Sequence, residues 1–269
     1  MLQSKLNVPS ILEAVRTVGN MFLKEYKQKP IPQNNSTFWQ QLNEIDERCM
    51  AMLTEKVNRI HPEIPWAGSE FDFEEQKKPL DMEEYWFADS MDGAIQYIQH
   101  LPGWTINIAL IRNGKIHFSV IYDALQNEMF WALDGNGAFM NDKTLSISTK
   151  TKLKDMLAVF EYTHHENNND GIYQKIGNSV SKLLENFGIV RNYGPHGLQL
   201  AYLGAGRIDF FHQEDLDTYN WLAGVLIAKE AGAEILTTDG QPWQYGSSSL
   251  MVANKGIGEE YLQLITTKQ

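Results

Sequence analysis

Two carboxylates three residues apart, Asp89 and Asp92, lie in the stretch Trp-Phe-Ala-Asp-Ser-Met-Asp-Gly-Ala from Trp86 to Ala94. Apolar and aromatic residues run into Asp89 and Gly93 then frees the backbone, the pattern of a strand that ends in a tight turn. Carboxylates brought to one point by such a turn repel unless positive charge sits between them. A hard cation with oxygen ligands is the natural occupant, and the main-chain carbonyl of Met91 could join it. An isolated Asp-x-x-Asp-Gly is more often an Asx-turn closed by glycine, so the reading depends on what else lines up with it.

Other candidate groups are scattered. Asp46 lies one position from the apolar stripe Leu42, Ile45, Cys49, Met52, Leu53 and Val57, where a lone carboxylate is usually just solvated. Gly68-Ser69-Glu70 and the loop Glu214-Asp215-Leu216-Asp217 add acidic groups. His164 and His165 sit in a polar loop without partners at ligand spacing and read as solvated. Cys49 is the single cysteine, which excludes an internal disulfide; its apolar helical setting indicates a packed thiol.

The elements that must position these groups follow from periodicity. Apolar residues at helical spacing predict a helix over 10–26, with Ser10 as N-cap, and a second over 42–57 after a polar loop at 27–37. The segment 71–84 is acidic and irregular. Asn113-Gly114 between runs 104–111 and 115–123 is a strong hairpin signal. Short strands are expected at 128–133, 138–140, 157–162, 190–193, 208–212, 233–237 and 250–253, and helices at 172–186, 198–203, 221–231 and 258–265. Gly232 stands where a helix C-terminus wants glycine.

Composition sets the outer bounds. The chain has 269 residues, long enough for a sizeable core, with 43% hydrophobic and 21% charged residues. Its formal net charge of −11 argues against a nucleic-acid partner, since phosphate backbones require a Lys/Arg surface. An anionic small ligand stays compatible if a bound metal inverts the local field. The start of the chain lacks a secretion-signal pattern and no apolar run suffices for a membrane span, so a cytoplasmic location is expected.

Three pieces together give the chain a resemblance, over nearly its full length, to the inositol monophosphatase family. They are the Asp-Ser-Met-Asp-Gly-Ala turn, Asp46 at its distance before Gly68-Ser69-Glu70, and Tyr219-Asn220-Trp221-Leu222-Ala223-Gly224 ahead of a helix ending Lys229-Glu230-Ala231-Gly232. The resemblance implies a layered αβαβα fold, α/β (α+β) in class, as one domain over 1–269 with an N-terminal part to about 150. It also implies Mg²⁺-dependent hydrolysis of a small phosphate monoester of the inositol or sugar phosphate class, and a homodimer. By the same resemblance Glu70, Asp89, the Met91 carbonyl, Asp92 and Asn220 fall on metal-ligand positions, and Asp46 aligns the attacking water. The phosphate would meet the N–H groups of Gly93 and Ala94, and substrate hydroxyls would meet the segment around His196 and either Gln213 or Glu214.

Three positions depart from the family pattern. A metal-binding Glu falls on Ser69, a water-orienting Thr or Ser on Ala94, and a second-metal Asp on Asn220. Each lost carboxylate removes a unit charge worth several kcal/mol at ~4 Å and an effective dielectric of ~20, before desolvation offsets. Weakened catalysis is therefore expected, with a non-catalytic phosphate- or protein-binding member as the alternative. Glu70 after a loop shift, the Asn220 amide oxygen or Asp217 could compensate.

Overall fold

The computed structural model describes residues 6–67, 75–163 and 171–267. Ser69, Glu70, His164 and His165 therefore lie outside the described residues.

The chain opens with two helices, α1 (Val8–Glu25) and α2 (Asn35–Asn58). Both begin at asparagines rather than where the apolar periodicity starts. Asn7 accepts a hydrogen bond from Ser10 N, and Asn34 from Thr37 N, so each side chain satisfies a first-turn donor. The expected Ser10 cap is thus three residues late, and the polar 27–37 loop gives up its last residues to α2.

A six-stranded antiparallel sheet follows in sequence order: β1 (Glu84–Asp92), β2 (Thr105–Arg112), β3 (Lys115–Asp123), β4 (Glu128–Leu133), β5 (Ala138–Met140) and β6 (Lys143–Thr144). The short helix α3 (Ala94–Ile98) separates β1 from β2. The Asn113-Gly114 hairpin forms as expected, with φ of 49° and 71° at its two central residues. A second sheet has the order β10-β11-β9-β7-β8, built from β7 (Leu157–Glu161), β8 (Ile189–Arg191), β9 (Phe210–Gln213), β10 (Glu234–Leu236) and β11 (Leu250–Ala253). Around it run α4 (Ile172–Asn186), α5 (His196–Gly204), α6 (Thr218–Glu230) and α7 (Ile257–Thr267).

The buried clusters define the layers. Ile11, Val15 and Phe22 of α1 and Ile45, Cys49 and Leu53 of α2 pack with Trp86, Ile106 and Val120 on one face of the first sheet. The opposite face carries Ile121, Phe130 and Ala132 against Leu198 of α5 and Leu226 and Ile227 of α6. The other sides of α5 and α6 meet Val159, Phe211 and Val252 of the second sheet. That sheet's outer face is closed by Leu183 of α4 and Tyr261 of α7. The result is the αβαβα sandwich. Because α6 lies between two sheets it is apolar nearly all round, which is how its sequence reads.

Candidate active site

The edge strand β1 delivers the two central carboxylates, and an irregularity makes them face the same way. In a regular strand residues three apart point to opposite faces. The β1–β2 register, however, shifts between Asp89 and Asp92. Such a bulge re-aims the strand by one residue. Asp89 is paired with Asn107, and Asn107 Nδ2 donates to Asp92 Oδ2 at 2.9 Å, so both carboxylates lie on the α5/α6 face. Both are buried, at 9% and 4% exposure. Met91 turns its side chain into the core with α1 and α2 and contributes only its main chain.

Beyond Asp92 the chain turns through Gly93, whose φ is +88° and whose hypothetical Cβ would lie 2.7 Å from the Gly103 carbonyl oxygen. Only glycine meets both demands. Gly93 caps α3, and the N–H groups at its first turn have no acceptor within the helix. Ala94 packs its methyl against the α1/α2 core and has no hydroxyl to offer.

A hydroxyl is nevertheless bonded to the helix carboxylate. Ser90 Oγ donates to Asp46 Oδ1 at 2.5 Å, and Cys49 Sγ lies 3.0 Å from the Ser90 carbonyl. Asp46 is therefore pinned to β1 rather than left solvated. Ser90 is only 2% exposed, so its hydroxyl holds Asp46 and does not face a pocket water. No local signal announces this contact, since Ser90 and Asp46 pair across 44 residues.

The third wall comes from α5. Gly197 N donates to Asp92 Oδ2 at 2.9 Å, and a Cβ at Gly197 would stand 2.8 Å from that same oxygen. A side chain there would push the helix off the carboxylate. Asp92 is desolvated and repelled by Asp217. Burial is the main cause of a pKa pushed up to about 6, against relief from His196, Gly197 and Asn107. His196 Nε2 lies 3.1 Å from Asp217 Oδ2, an ion-pair contact rather than an aligned hydrogen bond, and 4.0 Å from Glu161 Oε2. Burial pushes the imidazole pKa down, but Asp217, Glu161, Asp92 and Asp215 together raise it above the usual histidine value.

From α6, Asn220 Nδ2 donates to Asp217 Oδ1 at 2.6 Å. Gln213 Nε2 donates to Asp217 Oδ2 at 3.0 Å, and Gln213 Oε1 accepts from Trp221. Gln213 is thus a fully buried clamp, and both oxygens of Asp217 are engaged by protein groups. Asp217, the carboxylate that could compensate for Asn220, is thus held by hydrogen bonds from Asn220 and Gln213.

Glu214 is placed differently from its expected substrate-binding role. Its carboxylate accepts from Ser179 at 2.5 Å, from Thr238 at 2.9 Å and from His212, and it pairs with Lys175 at 2.7 Å. Those partners tie β9 to α4 and to the β10–β11 connection. Glu161, unremarked in the sequence, joins Asp217 beside His196. It accepts hydrogen bonds from Gly194 N, Asn192 and Gln199.

On the α2 side of β1, Ser90 ties Asp46 to the strand, and on the α5/α6 side a set of contacts runs from Asp92 to Gly197 and, through the adjoining His196, to Asp217 and Asn220. The sequence profile of the inositol monophosphatase family matches residues 7–269. The chain belongs to that family. It is 24% identical over 255 residues to the fructose-1,6-bisphosphatase/inositol-1-monophosphatase of Thermotoga maritima, covering 94% of this chain and 93% of the relative. It is 26% identical over 224 residues to the inositol-1-monophosphatase of Rhizobium meliloti, covering 83% and 82%. With the Nus factor SuhB of Escherichia coli K12 it shares 27% over 224 residues, covering 82% and 81%. Among solved structures, the Thermotoga maritima IMPase superposes with a TM-score of 0.78 at 22% identity, covering 97% and 96% of the two chains, which bears on the fold.

The carboxylates of Asp89 and Asp92 at the β1 turn are hard oxygen donors of the type that Mg²⁺ takes. Among the described residues Asp92 Oδ1 accepts no hydrogen bond, and Asp89 lies on the same face of β1. No three His, Cys, Asp or Glu side chains among the described residues are already drawn to ligand distance. A further carboxylate such as Glu70 would come from outside them.

Proposed function

We propose that this chain binds a small phosphate monoester of the inositol or sugar phosphate class between α2, β1, α5 and α6 and hydrolyses it slowly with Mg²⁺. The observation that supports this most is that Asp92, His196 and Asn220, distant in sequence, are tied together beside β1 through Gly197 and Asp217, with Asp46 held to the same strand by Ser90. Asp89, Asp92 and the Met91 carbonyl, with Glu70, would hold the cation. When bound it supplies positive charge that offsets the phosphoryl oxygens and makes water more acidic.

The chain's own groups do the rest. The N–H groups of Gly93 and Ala94 receive phosphate oxygens at the first turn of α3. Asp46, fixed by Ser90, accepts a proton from water through the oxygen that Ser90 leaves open. His196 narrows the side where substrate hydroxyls enter. Slow turnover follows from Ala94, because a positioned general acid or base contributes ~10²-fold or more and here no hydroxyl shares that task.

A second reading, a non-catalytic binding protein, draws support from relatives that carry the name Nus factor SuhB and from the engagement of Asp217 by Asn220 and Gln213. Phosphate release from a panel of inositol and sugar phosphates, with and without Mg²⁺, separates the two. Mg²⁺-dependent release above background supports the hydrolase. Its absence across the panel, with a phosphate ester still protecting the fold against heat, favours the binder.

A further inference from the structure

Beside the C-terminal half of α6, the start of β3 and the edge strand β10 leave between them a cavity of about 740 Å³, a size that holds a small organic molecule. Its walls are apolar: Ile116 from β3, Val225 and Leu226 from α6, Ile235 from β10, and Trp243 from the segment after β10. Val225 and Leu226 are buried and the other three are half-buried, so the apolar wall is only partly covered by the protein itself. Trp243 N donates to the Ile235 carbonyl at 3.1 Å, and its ring meets Trp221 edge-on with centroids 6.3 Å apart. The rim has a different character. Lys115 is exposed and has no carboxylate partner among the described residues, whereas Lys229 donates to Asp134 at 3.0 Å. Two ammonium groups against one carboxylate leave the mouth with a positive charge, on a chain whose formal net charge is −11.

We propose that this cavity is a second binding site, separate from the β1 turn, for an aromatic monocarboxylate whose ring lies against Trp243 and whose carboxylate meets Lys115. Burying an apolar body against the half-covered walls is favourable in proportion to the area removed from water, and the Trp243 ring suits an aromatic partner. The single uncountered ammonium suits a single negative charge. A phosphate monoester is a poorer match, because it carries close to two charges near its neutral end and inorganic phosphate offers no apolar body. No lining residue is shared with the β1 turn or with the His196 side of α5, so the assignment does not rest on the proposed hydrolase.

Calorimetric titration of 2-naphthoate into the full chain tests it, with 2-naphthamide as the uncharged twin and inorganic phosphate as competitor. Wild type is expected to bind one equivalent of 2-naphthoate, to bind the amide at least about fivefold more weakly, and to retain 2-naphthoate when phosphate is added. Lys115→Glu, at an exposed position, is expected to weaken 2-naphthoate about fivefold or more while leaving the amide within about twofold of wild type. Ala233→Trp, which places a large side chain in the cavity, is expected to abolish binding of both. No saturable binding by wild type at millimolar ligand, displacement by phosphate, equal affinity for acid and amide, or unchanged 2-naphthoate affinity in Lys115→Glu would overturn the proposal. Should Ala233→Trp not unfold cooperatively, Trp243→Ala takes its place, with weaker binding of both ligands expected and unchanged binding contradicting the site.

Discussion

Two buried carboxylates, Glu214 and Asp92, have similar exposure and opposite electrostatic fates. Glu214 is 9% exposed and Asp92 4%. Burial pushes the pKa of Glu214 up, but His212, Lys175 and Ser179 outweigh it and drive the group well below the usual carboxylate range. Among the described residues Asp92 receives two neutral N–H donors and the charge of one shared imidazole, and burial wins. The first is a latch joining α4, β9 and the β10–β11 connection. The second is buried with little to offset the loss of water, so the fold disfavours its charged form. Acidity in sequence does not tell these apart; the cations within reach do.

The largest effect is expected at Asp92. Asp92→Asn is expected to lower phosphate release by at least ~10²-fold while leaving stability in metal-free buffer unchanged or raised, because an amide has no charge to desolvate. Denaturant unfolding alongside the assay checks both, and a marked loss of stability would erase the distinction from Glu214. Next in size, Glu214→Gln should cost about 2 kcal/mol by stranding donors to a charged group, with turnover within a few-fold of wild type.

The pH dependence of metal-free stability sharpens the contrast through its sign. Asp92 binds its proton more tightly folded, at about 6, than unfolded, at 3.8, so its contribution declines as pH rises across that interval. His196 acts in the same direction, its contribution being complete below 6.5 and lost as pH rises through its higher folded value. Glu214 is opposite. Its contribution is present above 4.5 and lost as pH falls towards its lowered folded value. Unfolding curves from pH 3 to 8 should therefore show Asp92→Asn flattening the higher limb and Glu214→Gln the acid limb. The smallest effect is expected from Ser90→Ala, about 1 kcal/mol of stability. Any loss of turnover there should be accompanied by loosening of Asp46, visible as faster hydrogen exchange at the α2–β1 contact.

Local chemistry made much of the architecture legible. The Asn113-Gly114 hairpin, the strand 115–123, the helix 172–186 and the all-round apolar α6 were each specified by neighbouring residues. The turn that carries Asp89 and Asp92 was legible as well, but its decisive feature was not. No local signal announces the register shift that puts the two carboxylates on one face, because it arises from pairing with β2. Glu161, Asn107 and Gln199 were missed for a related reason: buried polar residues acquire their roles from partners such as Asp92 and Gly197, which meet across 105 residues. Glu214 misled in the other direction, since the lysine and histidine that neutralise it lie on α4 and β9.

On the proposed function, the sparsely countered carboxylates at the end of β1 form a cation-dependent phosphate site. Calorimetric titration of Mg²⁺ into wild type and Asp92→Asn tests it most directly. A saturable isotherm in wild type that disappears in the variant is the result expected. No heat of binding in either protein, or equal binding in both, would contradict the account.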